Sequence, residues 1–520
     1  MARILVTEKL AESGLDLLRA AGHDVDVQVG LSPEEIHAVI PGAHALIIRS
    51  ATTVTEVMLD AGKDLVVVGR AGVGLDNVDV PAATERGVMV VNAPLSNVLS
   101  AAEQTMALIL ASARNTAQAH AALVQGRWER SQWTGMELGG KTLGIIGLGR
   151  IGSLVAQRAR AFDMKLIGFD PFVSADRAAQ FDVRLVTLDE LAAESDIVTV
   201  HVARTPETIG LIGTDFLAKA KPGVRVINVA RGGIVDEIAL DEALTAGRVG
   251  GAGLDVFSSE PMTESPLFAH RNVVVTPHLG ASTREAQDRA GLTIAEQVDL
   301  ALSGDFVQFA VNVDAGAVPE AVKPFLPVAE QLGALFAGLV ESLPERIVLS
   351  LEGEVGGYDD RLIALAAAKG LLRSTREPVS YVNARTRLGE VGVQLNVVSS
   401  SQPRDYVSLL TLTGGSRSIS ATLLGLRNQP RVVKLDEHEI DVPPSDNMIV
   451  ARNDDRPGVI GAVGMILGEE GVNIDDMNVG RSDRDHWAVM VITTADPLSE
   501  SLGSRLRSVD GILDVDIVSV

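Results

Sequence analysis

Arg231, Glu260 and His278 are the residues of this chain whose types and spacing point to chemistry. They lie in Asn228-Val229-Ala230-Arg231-Gly232-Gly233, Ser259-Glu260-Pro261 and Thr276-Pro277-His278-Leu279-Gly280. A guanidinium can hold a carboxylate or a keto oxygen through two parallel hydrogen bonds. A histidine can take a hydroxyl proton while the carbon that bears it is oxidised, and return it in the reverse direction. A carboxylate beside the ring would orient it and favour its protonated form. Together they fit hydride transfer to or from a 2-hydroxy acid. Each also has a plainer reading, as a surface arginine in a glycine-rich loop or a histidine that only packs. Their shared placement just past apolar strands favours the chemical one.

A redox cofactor is foreshadowed upstream by Gly147-Leu148-Gly149-Arg150-Ile151-Gly152. An apolar strand over Thr142–Ile146 is expected to lead into this turn, and a helix over Ile151–Ala161 to follow it. Gly147, Gly149 and Gly152 would let the backbone turn tightly and approach a pyrophosphate seated on the helix N-terminus. The next strand, expected over Lys165–Phe169, ends in Asp170, at the fingerprint spacing for a carboxylate that accepts hydrogen bonds from ribose hydroxyls. It would repel a 2′-phosphate, so NAD is expected rather than NADP. Asp255 closes another expected strand and could accept a hydrogen bond from a nicotinamide carboxamide, or serve as a turn residue. His201, also at a strand end, is a candidate with the same ambiguity.

The elements that must carry these residues alternate strand and helix. Strands are expected over Ile4–Val6, Ala45–Ile48, Leu65–Gly69 and Val88–Val91, then over Thr142–Ile146, Lys165–Phe169, Asp196–His201, Val224–Val229, Gly251–Asp255 and Asn272–Val275. Helices are expected over Ser32–Ile40, Val80–Arg86, Ser100–Ala113 and from Thr283 to Leu302. The fold class expected is α/β, with two Rossmann-like doubly wound domains, an α+β intervening domain and a C-terminal βαββαβ module. The divisions expected are 1–98 with 284–310, 99–283, 317–443 and 447–520, with a linker over Val311–Pro319 and a break at Pro443-Pro444-Ser445. Aromatic residues make up 3% of the 520 residues while 46% are hydrophobic, so aliphatic cores under parallel sheets are expected. The net charge of −23 argues against nucleic acid as a partner, because phosphate would be repelled. There is no cysteine, which removes disulfides, thiolate catalysis and Cys-based metal sites, and no metal is expected. With no apolar run of membrane-spanning length and no leader pattern, a cytoplasmic protein without a membrane partner is expected.

The strings Gly147–Gly152, Asn228–Gly233, Gly251–Pro261 and Thr276–Ala286 resemble those of the D-isomer-specific 2-hydroxyacid dehydrogenase family. Val68–Asp79 and Asn453–Gly458 resemble its long, ACT-bearing branch, and the likeness runs through essentially the whole chain. The resemblance implies that Arg231 binds substrate, that His278 is the acid/base and that Glu260 pairs with it. NAD would be held by the glycine turn with Arg150, Ile151 and Asp170, by Val229, Ala230 and Asp255, and by Val73, Gly280 and Ala281. Substrate would meet Arg49, Ser50, Gly72, Val73, Arg231 and His278, with Arg49 facing a phosphate and Arg130 and Lys141 as further cations. The implied reaction is NAD-dependent oxidation of 3-phospho-D-glycerate to 3-phosphohydroxypyruvate, the first step of L-serine biosynthesis, with side reduction of 2-oxoglutarate. A homotetramer is implied, with L-serine as effector at an ACT dimer interface through Asp455 and Asn473. Asn453, where an aromatic is usual, and Arg484-Asp485-His486-Trp487, in place of a glycine-rich turn, depart from the pattern and leave the effector open. Tyr381 and Asn383 match the intervening domain's string, whereas Arg385-Thr386-Arg387 and Val202-Ala203 depart. Two other readings remain: a different D-2-hydroxyacid dehydrogenase, or a NAD-sensing scaffold without turnover.

Overall fold

Four-residue apolar runs can form a sheet interior only if both faces are covered, and the first sheet, one edge strand aside, is built largely from such runs. Strands β1 (Arg3–Val6), β2 (Asp24–Val27), β3 (Ala45–Ile48), β4 (Val67–Arg70) and β5 (Met89–Asn92) are all parallel, in the order β2-β1-β3-β4-β5. Helix α1 (Glu12–Ala20) follows β1. Strand β2 was not expected: its Asp-Val-Asp-Val sequence carries two poor strand formers, and only its edge position tolerates them. The computed structural model describes every residue except 314–318, 376–378 and 482–486. The middle of the expected linker Val311–Pro319 and the residues Arg484–His486 therefore lie outside the described residues.

Helix α2 (Val98–Arg114) leads to a second parallel sheet of β6 (Thr142–Ile146), β7 (Lys165–Phe169), β8 (Arg184–Leu185), β9 (Ile197–Val200), β10 (Val224–Asn228), β11 (Val249–Leu254) and β12 (Val273–Val275). Its order is β12-β11-β10-β9-β6-β7-β8, so the winding reverses between β6 and β9. Ligands bind in the crevice outside the strand ends at such a reversal. Helix α3 (Arg150–Arg160) starts directly after the glycine turn. Apolar clusters cover both faces of this sheet, one centred on Val198, Val226 and Leu240, the other on Leu143, Ile145 and Ile109.

Helix α4 (Arg284–Leu302) then returns to the first sheet, where Ile294 and Val298 join Ile4, Val6 and Ile47 in one core. Ala310 bridges to Val91, and the Asn312 side chain bonds the Val90 amide at 2.9 Å. The third sheet contains β13 (Arg346–Gly353), β14 (Gln394–Ser400), β15 (Ser408–Gly414), β16 (Arg417–Leu424), β17 (Gln429–Leu435) and β18 (His438–Val442), with only β13 and β14 parallel. Helices α5 (Phe325–Gly338) and α6 (Arg361–Leu371) pack on it. The fourth sheet, β19 (Asn447–Asp454), β20 (Asp476–Arg481), β21 (Trp487–Thr494) and β22 (Ile512–Ser519), is antiparallel, in the order β20-β21-β19-β22. With α7 (Val459–Glu469) and α8 (Glu500–Arg507) it makes the expected βαββαβ unit. Its helix-free face is also covered: Met448, Val450, Val489 and Val518 share a core with α5. Among the described residues no helix is long and apolar enough to cross a membrane.

Candidate active site

The carboxyl ends of the two parallel sheets face each other across a cleft of about 560 Å³. Arg49, Arg70 and Gly72 line it from the first sheet; Glu260, Pro277 and His278 line it from the second. His278 is reached by a loop that leaves β12 and is pinned from below by Asp255. That carboxylate is fully buried and accepts hydrogen bonds from Thr276 Oγ1 (2.5 Å), the Leu279 amide (2.7 Å) and the Gly280 amide (2.7 Å). His278 adopts φ +54°, a left-handed conformation costly for a residue with a Cβ. The Asp255 bonds on either side of it hold that conformation in place.

His278 Nδ1 lies 2.6 Å from Glu260 Oε2. The other Glu260 oxygen accepts from the Phe257 amide at 3.0 Å, so the carboxylate is itself oriented. With Nδ1–H donated to Glu260, the neutral ring presents the Nε2 lone pair to the cleft. His278 is 47% exposed, enough to leave that nitrogen reachable by a ligand.

Arg231 follows β10. Its backbone oxygen accepts from Asn228 Nδ2 at 2.9 Å, its Nη1 donates to Ala230 O at 2.8 Å, and its Nε lies 3.4 Å from Asp76 Oδ2. Close to it stands a second guanidinium that the sequence reading passed over. Arg70, at the end of β4, is held below its usual pKa by burial and by repulsion from Arg231. Its Nε is buried and has no hydrogen-bond partner among the described residues. A Cβ on Gly72 would fall 1.8 Å from Arg70 Nη1, so the glycine makes room for the cation. Two repelling guanidiniums, one with an unpartnered buried N–H, form a site that an anion would stabilise. The signal was present in the sequence: a charged residue closing an apolar strand, two residues before Gly72.

The glycine turn fits a dinucleotide. Gly147 has φ +93°, and a Cβ there would lie 2.6 Å from His201 O; one on Gly152 would lie 2.0 Å from Gly147 O. Gly149, by contrast, faces open space at the start of α3. Asp170 closes β7 beside the turn, with Oδ2 accepting from the Leu148 amide at 2.8 Å and Oδ1 from the Phe172 amide at 2.9 Å. Each oxygen keeps a lone pair for a further donor. His201 hydrogen bonds Thr199 Oγ1 at 3.1 Å, and burial pulls its pKa down to about 3, so it stays neutral at physiological pH.

Other candidates are placed apart. Lys141 precedes β6, at the sheet's amino end and away from the cleft, and Arg130 starts a short 3-10 turn on the exposed surface; neither lines the cleft within one chain. Asp455 and Asn473 flank opposite ends of α7, a helix of 11 residues, or about 16 Å at 1.5 Å per residue. Asp455 is bonded to Arg481 at 2.8 Å, and Asn473 is exposed. Asn453 is buried, with Oδ1 lacking a partner among the described residues.

Comparison with known proteins agrees with this layout. Residues 106–280 match the D-isomer specific 2-hydroxyacid dehydrogenase NAD binding domain, residues 321–436 the D-3-phosphoglycerate dehydrogenase intervening domain, and residues 447–511 the ACT domain. The D-3-phosphoglycerate dehydrogenase of Mycobacterium leprae is 46% identical over 94% of this chain and 94% of its own length. That of Synechocystis is 42% identical over 100% of this chain and 95% of its own. The structure of D-lactate dehydrogenase from Aquifex aeolicus, complexed with NAD and lactic acid, matches 58% of this chain and 96% of its own, at 28% identity and a TM-score of 0.51. That match covers little more than half of this chain, whereas the full-length relatives span nearly all of it, and the chain belongs to the D-3-phosphoglycerate dehydrogenase family.

Proposed function

We propose that this chain oxidises 3-phospho-D-glycerate to 3-phosphohydroxypyruvate with NAD, the committing reaction of serine synthesis. The observation that carries the reading is the His278–Glu260 pair set across one cleft from Arg49 and Arg70. NAD, when bound, supplies the acceptor for the hydride from C2. Arg70 and Arg231 hold the substrate carboxylate between them, which relieves their mutual repulsion. Neutral His278 takes the C2 hydroxyl proton on Nε2, and Glu260 stabilises the imidazolium that results. In the reverse direction the same nitrogen returns the proton. Asp255 acts through His278 by fixing its loop. Gly147, Gly149 and Gly152 would hold the pyrophosphate with the α3 N-terminus, and Asp170 the adenosine ribose. A 2′-phosphate would face the Asp170 charge, which favours NAD over NADP.

We read L-serine as the effector and an oligomer, a homotetramer by family expectation, as the assembly. The separation of Asp455 from Asn473 along α7 supports this, since one small amino acid can touch both only if two chains supply them. NADH formation from 3-phosphoglycerate, with and without L-serine, tests both parts. Substrate-dependent NADH that serine suppresses is expected; no NADH with 3-phosphoglycerate overturns the catalytic reading, and indifference to serine overturns the regulatory one.

A further inference from the structure

Arg231, which the proposed reaction sets on the substrate carboxylate, is not among the described residues that line the cleft, whereas Arg70 and His278 are. Its guanidinium is turned to the loop after β4. There Nε lies 3.4 Å from Asp76 Oδ2, and a Cβ on Gly74 would fall 2.5 Å from Arg231 Nη2. The absent side chain at Gly74 is what lets the guanidinium lie against this loop. The contact joins the loops of the two parallel sheets, and among the described residues it is the one ion pair that does so.

Asp76 is held in place by bonds that do not use its carboxylate. Asn77 Nδ2 donates to Arg49 O at 2.7 Å and to Thr52 O at 2.6 Å, and Asn92 Nδ2 donates to Val73 O at 2.7 Å. These bonds anchor the loop on both sides of Asp76. The carboxylate itself is 64% exposed. An exposed pair of this kind is weak, because water competes for both charges and salt screens them. Arg231 is therefore free to leave, while Asp76 stays. The charge of Asp76 also works against the repulsion between Arg231 and Arg70. A ligand carboxylate would do the same with better geometry, through two parallel N–H···O bonds to the guanidinium.

We propose that Asp76 parks Arg231 at the rim of the empty cleft and gives it up to the substrate carboxylate on binding. Asp76 is then a specificity-determining residue: a ligand that carries a carboxylate draws Arg231 into the cleft, and a neutral ligand leaves it at Asp76. This inference rests on the role given to Arg231 in the function proposed above. Because the loop is anchored by its neighbours, Asp76→Asn removes the charge and leaves the loop in place.

The test pairs steady-state NADH formation from 3-phosphoglycerate with calorimetric titration of oxalate, a small dicarboxylate without phosphate, into enzyme saturated with NADH. Asp76→Asn is expected to lower both the KM for 3-phosphoglycerate and the Kd of oxalate roughly two- to fivefold, the range of one exposed ion pair. The KM for NAD should not follow. Asp76→Glu, which keeps the charge, should show no tightening. In an Arg231→Ala background, Asp76→Asn should no longer tighten oxalate, since no parked guanidinium is left to release. A damaged loop would raise KM, so the sign of the change separates exchange from a structural role. Unchanged or weaker oxalate binding in Asp76→Asn overturns the proposal, as does equal tightening in the Arg231→Ala background, which would mark a general change in potential. If the wild type forms no NADH from 3-phosphoglycerate, the proposed function falls, and the oxalate titrations still decide the role of Asp76.

Discussion

Within the cleft, polar residues from two sheets meet inside one chain; in the C-terminal module, the two candidate ligand residues stand apart at opposite ends of α7. The cleft residues also keep capacity in reserve. His278 leaves Nε2 open, and Arg70 has a buried N–H without a partner among the described residues. Asp455, in contrast, is already bonded to Arg481. The difference teaches that the cleft gathers its polar residues from two sheets of one chain, whereas the length of α7 separates Asp455 from Asn473 within that chain. Turnover should therefore respond to single changes in the cleft whatever the assembly state. The serine response should depend on assembly.

The largest expected effect is that of His278→Ala, which should lower kcat by on the order of 10²–10⁴-fold with little change in NAD affinity by titration. A normal kcat would remove His278 from the chemistry and with it the contrast. Glu260→Gln should cost roughly ten- to a hundredfold in kcat, the equivalent of about 1.5–3 kcal/mol for a hydrogen bond to a charged group, and should shift the pH–rate profile. A loss of stability with an unchanged profile would give Glu260 a structural role only. Next comes Asp170→Ala, expected to raise the KM for NAD roughly three- to tenfold and to admit NADP, since the repelling charge is gone. Unaltered preference between the cofactors would contradict the placement of the ribose. The smallest effect expected on basal turnover, none, belongs to Asp455→Ala. Its serine inhibition should vanish while kcat and KM hold; a fall in kcat without serine would mean that the module acts on the cleft in the absence of any effector.

The sequence made the catalytic half readable where the pattern was local. Thr142–Ile146 and Lys165–Phe169 formed strands at the expected residues because buried parallel strands are continuous apolar runs. Gly147 and Asp170 could be singled out as candidates because a glycine turn and a strand-end carboxylate obey fixed spacings, and the structure sets them side by side through the Leu148 amide. Strand β2 escaped because Asp24 and Asp26 break the apolar run, and an edge position is not written in local sequence. Arg70 escaped for a different reason: its meaning depends on Arg231, more than a hundred and fifty residues on, and only the fold makes them neighbours. The engagement of Asp455 by Arg481 and the distance from Asp455 to Asn473 are likewise properties of tertiary placement.

The proposed function requires that a phosphorylated 2-hydroxy acid be turned over between Arg49 and His278. It is tested most directly by kcat/KM for 3-phosphoglycerate against D-glycerate with NAD, in the wild type and in Arg49→Ala. A preference of about tenfold or more for the phosphorylated acid, largely lost in the variant, is expected, as one charge-assisted hydrogen bond implies. Equal kcat/KM for the two acids in the wild type, or a preference untouched by Arg49→Ala, would contradict it.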